Sequence, residues 1–433
     1  MRRKVLVLAV AFILFTTSFP SVTTSSVKNN VIRCPREIYN DSHIIDNPRV
    51  PYVKQTTDVY CGEASITMLI NYYGFNATIE EILHNLGYGY SLLHIRFIPG
   101  ISRIPVGGLG SGSLPSNLDF LASLYNLSFY DYSVRNQPED ILWERYWTKV
   151  KKLIKDDIPV LTAVDSCSLT YWKEFFKRHN ISENETHNCQ HAIVIVGYND
   201  SNGTVCYNDP AVAIFDTEEN GTYVFEKKEV FKEAVINAYN GSYCKIWVFK
   251  KIPDSLPPSH EERFEKAHKR NIKRLKGDFE AYFGFNLSDL PFFYRLYFSI
   301  CYRLGIDATK ALKKDFQGFN RIITVNQYSK YALLNDLYEM IYIEKHNASQ
   351  YLLQNVNISP VCKHDGLLLQ KESELWKNIT LLIKELNKIS RNNSLIKTLI
   401  LAKPLLDEIN QLIDKIIEIE NAIIGAAIFS QIF

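Results

Sequence analysis

Cys61-Gly62-Glu63-Ala64-Ser65-Ile66-Thr67-Met68-Leu69-Ile70-Asn71-Tyr72-Tyr73-Gly74 opens on a cysteine and runs into an amphipathic segment. From Ala64 on, apolar residues recur at helical spacing through Ile66, Leu69, Ile70 and Tyr73, and Gly74 supplies a stop. The pattern predicts a helix whose first turn carries Cys61. There the unpaired backbone N–H groups and the positive end of the helix dipole stabilise a thiolate. Gln55 lies shortly upstream, where its side-chain N–H can reach a developing oxyanion beside the Cys61 N–H. A lone cysteine reads as core or as half a disulfide; a cysteine in this setting reads as a nucleophile.

The partners of such a nucleophile lie further along. His191-Ala192-Ile193-Val194-Ile195-Val196-Gly197-Tyr198 reads as a buried strand. Thr204-Val205-Cys206-Tyr207-Asn208-Asp209-Pro210 reads as a second one, and Asn202-Gly203 between them is a hairpin signal. Antiparallel pairing brings Asp209 to His191, where a carboxylate orients the imidazole and stabilises its protonated form. Asp200 and Asn208 are the substitutes for that role. The run His187-Asn188-Cys189-Gln190-His191 also admits a metal-ligand reading, but without a second cluster at zinc-like spacing a structural disulfide at Cys189 is favoured. No cofactor is called for.

These residues carry a resemblance. The Gln55–Cys61 spacing, the Cys61-Gly62 helix start, the His191 strand and the Asn208-Asp209-Pro210 strand end resemble the C39-like, papain-fold peptidase domain that removes double-glycine leaders from bacteriocins. The resemblance covers roughly residues 50–250. It implies Cys61 as nucleophile, His191 as general base and acid, Asp209 as orienter and Gln55 in the oxyanion hole. Transporter members of that family continue into a membrane domain and an ATPase, and this sequence has no phosphate-loop motif to match. A second resemblance, carried by Pro159–Asp165, Leu169, Tyr171 and the His191 strand, is to the butirosin biosynthesis acyltransferase family. Its members place a helical domain after the catalytic one, and Tyr331–Leu334 through Glu374–Trp376 resembles that domain. The two families share a thioester step and differ in the acceptor, water or an amine.

The first residues suggest a compartment. Met1-Arg2-Arg3-Lys4, the apolar Val5–Phe15 and a polar stretch to Ser26 read as a secretory signal, too short for a stable membrane helix. Asn-x-Ser/Thr occurs at Asn40, Asn76, Asn126, Asn180, Asn184, Asn199, Asn202, Asn220, Asn240, Asn286, Asn347, Asn357, Asn378 and Asn392. Composition alone accounts for about four such sites, so the excess points to N-glycosylation of an exposed, extracytoplasmic surface. In an oxidising compartment most of the remaining cysteines should pair, with Cys206–Cys244, Cys301–Cys362 and Cys167–Cys189 as candidate bridges and Cys34 left over.

The 433 residues suffice for two cores, and a net charge of +2 gives no reason to expect nucleic acid as a partner. Pro253-Asp254-Ser255-Leu256-Pro257-Pro258 reads as a stiff linker. Before it, helices are expected at Ile79–Leu86, Leu118–Tyr125 and Glu139–Lys155, the first two opened by the capping boxes Thr78-x-x-Glu81 and Ser116-x-x-Asp119. Strands are expected at Ile158–Val164, His191–Tyr198, Thr204–Asn208 and Tyr243–Phe249. The glycine-rich run Gly107–Gly112 reads as a mobile loop near the cleft. After the linker, Ser259-x-x-Glu262 opens a charged helix, and further helices are expected at Leu290–Tyr302, Tyr331–Lys345, Lys371–Ile389 and Leu395–Ile423. The apolar tail Ile423–Phe433 is too short to span a membrane and reads as a buried terminal helix or contact surface.

The sequence therefore predicts an α+β chain: a signal peptide (1–26), a papain-like cysteine peptidase domain (27–252), a linker (253–258) and an all-α domain (259–433). The function expected is hydrolysis of a peptide or amide bond through a Cys-His-Asp triad. Transfer of the acyl group to an amine, or an inactive domain serving as a binding module, are the alternatives. The partner expected is a peptide or acyl-amide substrate.

Overall fold

A computed structural model describes residues 42–57, 59–97, 102–106, 115–135, 137–181, 190–215, 220–239, 241, 243–254, 256–284, 286–317, 325–392 and 395–429. The signal segment, the Gly107–Gly112 run and the tip of the C-terminal tail lie outside these residues. The chain forms two compact units. One holds the residues up to Ile79 with Ser128–Lys251; the other holds Glu80–Leu127 with Ile252–Phe433.

The first unit is built on an antiparallel sheet. Its strands run in the order Leu127–Arg135, Tyr243–Lys251, Val160–Asp165, Gln190–Asn199, Thr204–Asn208 and Val224–Lys227, and Ser42–Ile44 also pairs with Gln190–Asn199. The expected hairpin is present. Asn199 faces Thr204 and Val194 faces Asn208, with one irregularity between Ile195 and Gly197. Ile193, Val194, Ile195 and Val196 are all buried, so this strand is covered on both faces, as its unbroken apolar run requires. Burial of each such side chain contributes about 1.5–3 kcal/mol. Gly197 is needed where Ser42–Ile44 crosses, because a Cβ there would lie 2.9 Å from the His43 carbonyl oxygen.

The helix Cys61–Tyr72 packs on this strand, and Ser65 Oγ donates to the Ala192 carbonyl at 3.1 Å. Every residue from Glu63 to Ile70 is buried, so the helix is a core element and its apolar spacing marks no exposed face. The helices Glu139–Lys155, Thr170–Arg178 and Lys228–Asn237 complete the unit. The last two escaped the sequence reading.

The second unit is mostly helical. Long helices Val325–Gln354, Pro360–Asn392 and Leu395–Phe429 pack successively, joined by Ile306–Gln317, around Trp376, Ile379, Ile409, Ile413 and Ile416. The capping box at Ser259 is complete, with Glu262 N donating to Ser259 Oγ at 3.1 Å and Ser259 N to Glu262 Oε2 at 2.8 Å. Ile423 and Ala427 are buried in a neighbouring cluster, as a terminal core helix requires. Among the described residues no helix is long and apolar enough to cross a membrane.

Several expectations are corrected. The second unit also carries a small sheet, in which Tyr302–Leu304 pairs with Leu93–Phe97, which pairs with Ser102–Val106. By contacts, Glu80–Leu127 groups with the residues after Lys251. The helix expected at Leu118–Tyr125 begins earlier, at Pro115, a residue suited to a first helical position. Cys206 and Cys244 are both free. Two strands separate theirs in the sheet, placing them about 14 Å apart, beyond the reach of a disulfide. Cys362 is free and buried among Tyr90, Phe264 and Leu369, which removes the Cys301–Cys362 pairing. Cys189 lies outside the described residues.

Candidate active site

Cys61 is the first residue of its helix, and the N-cap residue Tyr60 makes no capping side-chain bond. The helix dipole at this end favours negative charge at Cys61. His191 enters from the adjacent strand, 8 % exposed, and hydrogen-bonds the Cys61 side chain. Its other contact is to Asp209, with Nε2 2.7 Å from Oδ1. Nε2 being occupied by the carboxylate, Nδ1 is the nitrogen left for Cys61.

Asp209 follows the last residue of its strand and is held from all sides. Trp172 Nε1 donates to Oδ2 at 3.0 Å and the Ala211 N–H to Oδ1 at 2.9 Å. Its own N–H donates to the Gly221 carbonyl at 2.8 Å, and Tyr52 Oη donates to its carbonyl at 3.0 Å. Gly221 permits this approach, since a Cβ there would lie 1.8 Å from the Asp209 carbonyl oxygen.

The electrostatics follow from the geometry. Burial opposes a charged imidazole, yet the Asp209 charge and hydrogen bond, with a further contribution from Cys61, raise His191 to about 10. Burial likewise opposes the Asp209 carboxylate, but His191, the Ala211 N–H and Trp172 hold its pKa below the ordinary aspartate value. The pair is thus built to be ionic, and a buried ion pair with its remaining lone pairs satisfied is the tolerable kind.

Gln55 is 2 % exposed and is tied to the same corner, its N–H donating to the Pro210 carbonyl at 3.0 Å. Its Nε2 donates one proton to the Thr57 carbonyl at 2.7 Å, which leaves the second. The substitutes for Asp209 are engaged elsewhere: Asp200 pairs with Lys151 at 2.8 Å, and Asn208 Oδ1 accepts from the Tyr223 N–H at 2.8 Å. The structure brings Cys61, His191 and Asp209 into one chain of contacts. A thiol, an imidazole and a carboxylate so arranged can form a thiolate–imidazolium pair and carry out acyl chemistry.

Trp172, Tyr52 and Gly221 escaped the sequence reading, because each reaches Asp209 across the fold. Replacing Trp172 with Phe removes one donor to a buried carboxylate, so kcat/KM is expected to fall about tenfold. The Asp209 pKa should rise, so the stability lost as pH falls through that value is lost at a higher pH. An unchanged acid-denaturation midpoint would show that Trp172 serves packing alone.

Residues 48–243 match the model of the Peptidase C39-like family. No curated protein and no solved structure matches the chain.

Proposed function

From the premise that residues 48–243 form a C39-like peptidase domain, we propose that this protein is a papain-fold thiol hydrolase of peptide or amide bonds. The continuous contact from Cys61 through His191 to Asp209 carries the reading. The Cys61 thiolate attacks the substrate carbonyl carbon, and the oxyanion is held by the Cys61 N–H and the free Gln55 Nε2 proton. His191 gives its Nδ1 proton to the leaving amine as the C–N bond breaks, leaving a thioester. Water then attacks that thioester while His191 takes its proton; the carboxylic acid leaves and Cys61 is restored. Asp209 keeps the imidazole oriented throughout and stabilises its charged form.

An extracytoplasmic setting completes the proposal. Among the described acceptor asparagines, Asn76, Asn180, Asn202, Asn220, Asn286, Asn357 and Asn378 are exposed, and Asn126, Asn199 and Asn347 are half-buried. The hairpin turn with Asn199 and Asn202 lies at the end of the strands opposite Asp209, so glycans there would not obstruct Cys61.

Two measurements test this. Peptide pools incubated with the purified protein and read by mass spectrometry should show cleavage that iodoacetamide abolishes. Iodoacetamide should modify Cys61 before the free, buried Cys206, Cys244 and Cys362. That rate should drop on His191→Ala. Labelling indifferent to His191 would sink the ion pair, and intact labelling without any cleavage would sink the hydrolase.

A further inference from the structure

Among the described residues, the mostly helical unit contains two guanidiniums without a carboxylate counter-charge. Arg270 and Arg274 lie one turn apart on the helix His260–Leu275 and are 9 % and 0 % exposed. Both donate to one neutral acceptor, Asn117 Oδ1, from Arg270 Nη2 at 2.7 Å and from Arg274 Nη2 at 2.6 Å. Arg274 directs its remaining donors at main-chain carbonyls, Nε at Ala281 (2.8 Å) and Nη1 at Leu86. Arg270 has no such outlet. Among the described residues its Nη1, excluded from solvent, meets no acceptor, and the Asn117 Nδ2 donor is in the same condition. Glu81 is engaged by Arg263 at 3.1 Å.

Around Arg270 the opposing influences reinforce one another. Burial and the Arg274 charge both act against the Arg270 cation. Asn117 is in the first turn of the helix Pro115–Leu124, so the positive end of that dipole adds to the two guanidiniums. Phe120 lies under Arg270, its ring centroid 4.1 Å from the guanidinium carbon, and offsets only part of the desolvation. A guanidinium does not relieve the strain by losing a proton. An uncompensated buried charge is strongly unfavourable unless something of opposite sign joins it.

We propose that Arg270, Arg274 and Asn117 form a binding site for an oxyanion, whose oxygens accept from Arg270 Nη1 and Asn117 Nδ2. Phosphate, sulfate and carboxylate groups share the acceptor geometry that forked guanidinium donors fit. The site belongs to the unit that does not carry Cys61.

The test uses the full chain dialysed into chloride, with thermal unfolding followed during titration of inorganic phosphate, sulfate or acetate at constant ionic strength. A saturable rise in Tm of roughly 3 °C or more is expected for at least one anion. A response to phosphate and sulfate alone assigns a tetrahedral dianion, and a response to acetate assigns a carboxylate. Arg270→Met should abolish the rise while melting no lower than the parent in chloride, since it replaces an unpaired charge with an apolar side chain. Asn117→Asp supplies the missing carboxylate internally, so it should melt higher than the parent in chloride and lose the response. No response to any of the three anions overturns the proposal. So does an equal rise in Arg270→Met, or an Asn117→Asp protein that melts below the parent.

Discussion

Alanine at position 61 is expected to lower kcat for peptide cleavage by about 10⁴- to 10⁶-fold while leaving the protein folded. The magnitude follows from the mechanism, in which the sulfur forms and then breaks the only covalent bond between enzyme and substrate. The fold should tolerate the change because Cys61 sits at the open start of its helix, with the buried run beginning only at Glu63. Turnover by difference mass spectrometry and unfolding by circular dichroism check the two halves separately. Residual activity within about tenfold of the parent would mean that the nucleophile lies elsewhere. A collapsed fold would mean that Cys61 carries packing that the structure does not assign to it.

Asparagine at position 209 is expected to cost about 10²- to 10⁴-fold in kcat/KM, since the carboxylate acts only through the imidazole. Its signature is in the pH dependence. His191 is raised to about 10, against the lowering effect of its burial, chiefly by the Asp209 charge. With that charge removed, the opposition from burial weighs more against the contribution left by Cys61, and the alkaline limb of kcat/KM should move down from near 10. Stability shifts with it. A histidine raised on folding contributes stability that is fully present below about 6.5 and is lost as pH climbs through about 10. Asp209, lowered on folding, contributes above its ordinary value and loses that contribution as pH falls through its folded one. The parent should therefore be most stable between these limits. Asp209→Asn should forfeit about 3–5 kcal/mol there, the cost of leaving one partner of a buried pair alone. An unmoved alkaline limb would reassign the residue that titrates.

What could be read in advance was local in sequence. The Cys61 helix was legible because its period and its first residue lie within fourteen consecutive positions. His191 and Asp209 were legible as a pair because a short turn joins their strands, and the pairing register follows from that turn. Trp172 comes from a helix before the histidine strand, Tyr52 from far upstream, and Gly221 from beyond the aspartate strand; only the closed sheet gathers them. The Cys206–Cys244 pairing failed for the same reason, since which strands are neighbours is a property of sheet order and is not encoded near either cysteine. The short strands Ser42–Ile44 and Tyr302–Leu304 hold three residues each, too few for a period to be recognised.

The excursion Glu80–Leu127 sets a rule of dissection. The backbone passes from one compact unit to the other after Ile79, returns after Leu127 and crosses again after Lys251. No single scission of this chain can release both units whole. A stop after residue 252 would retain the Glu80–Leu127 segment while deleting the helices it folds against, leaving apolar residues such as Tyr90, Leu92 and Leu121 without their packing.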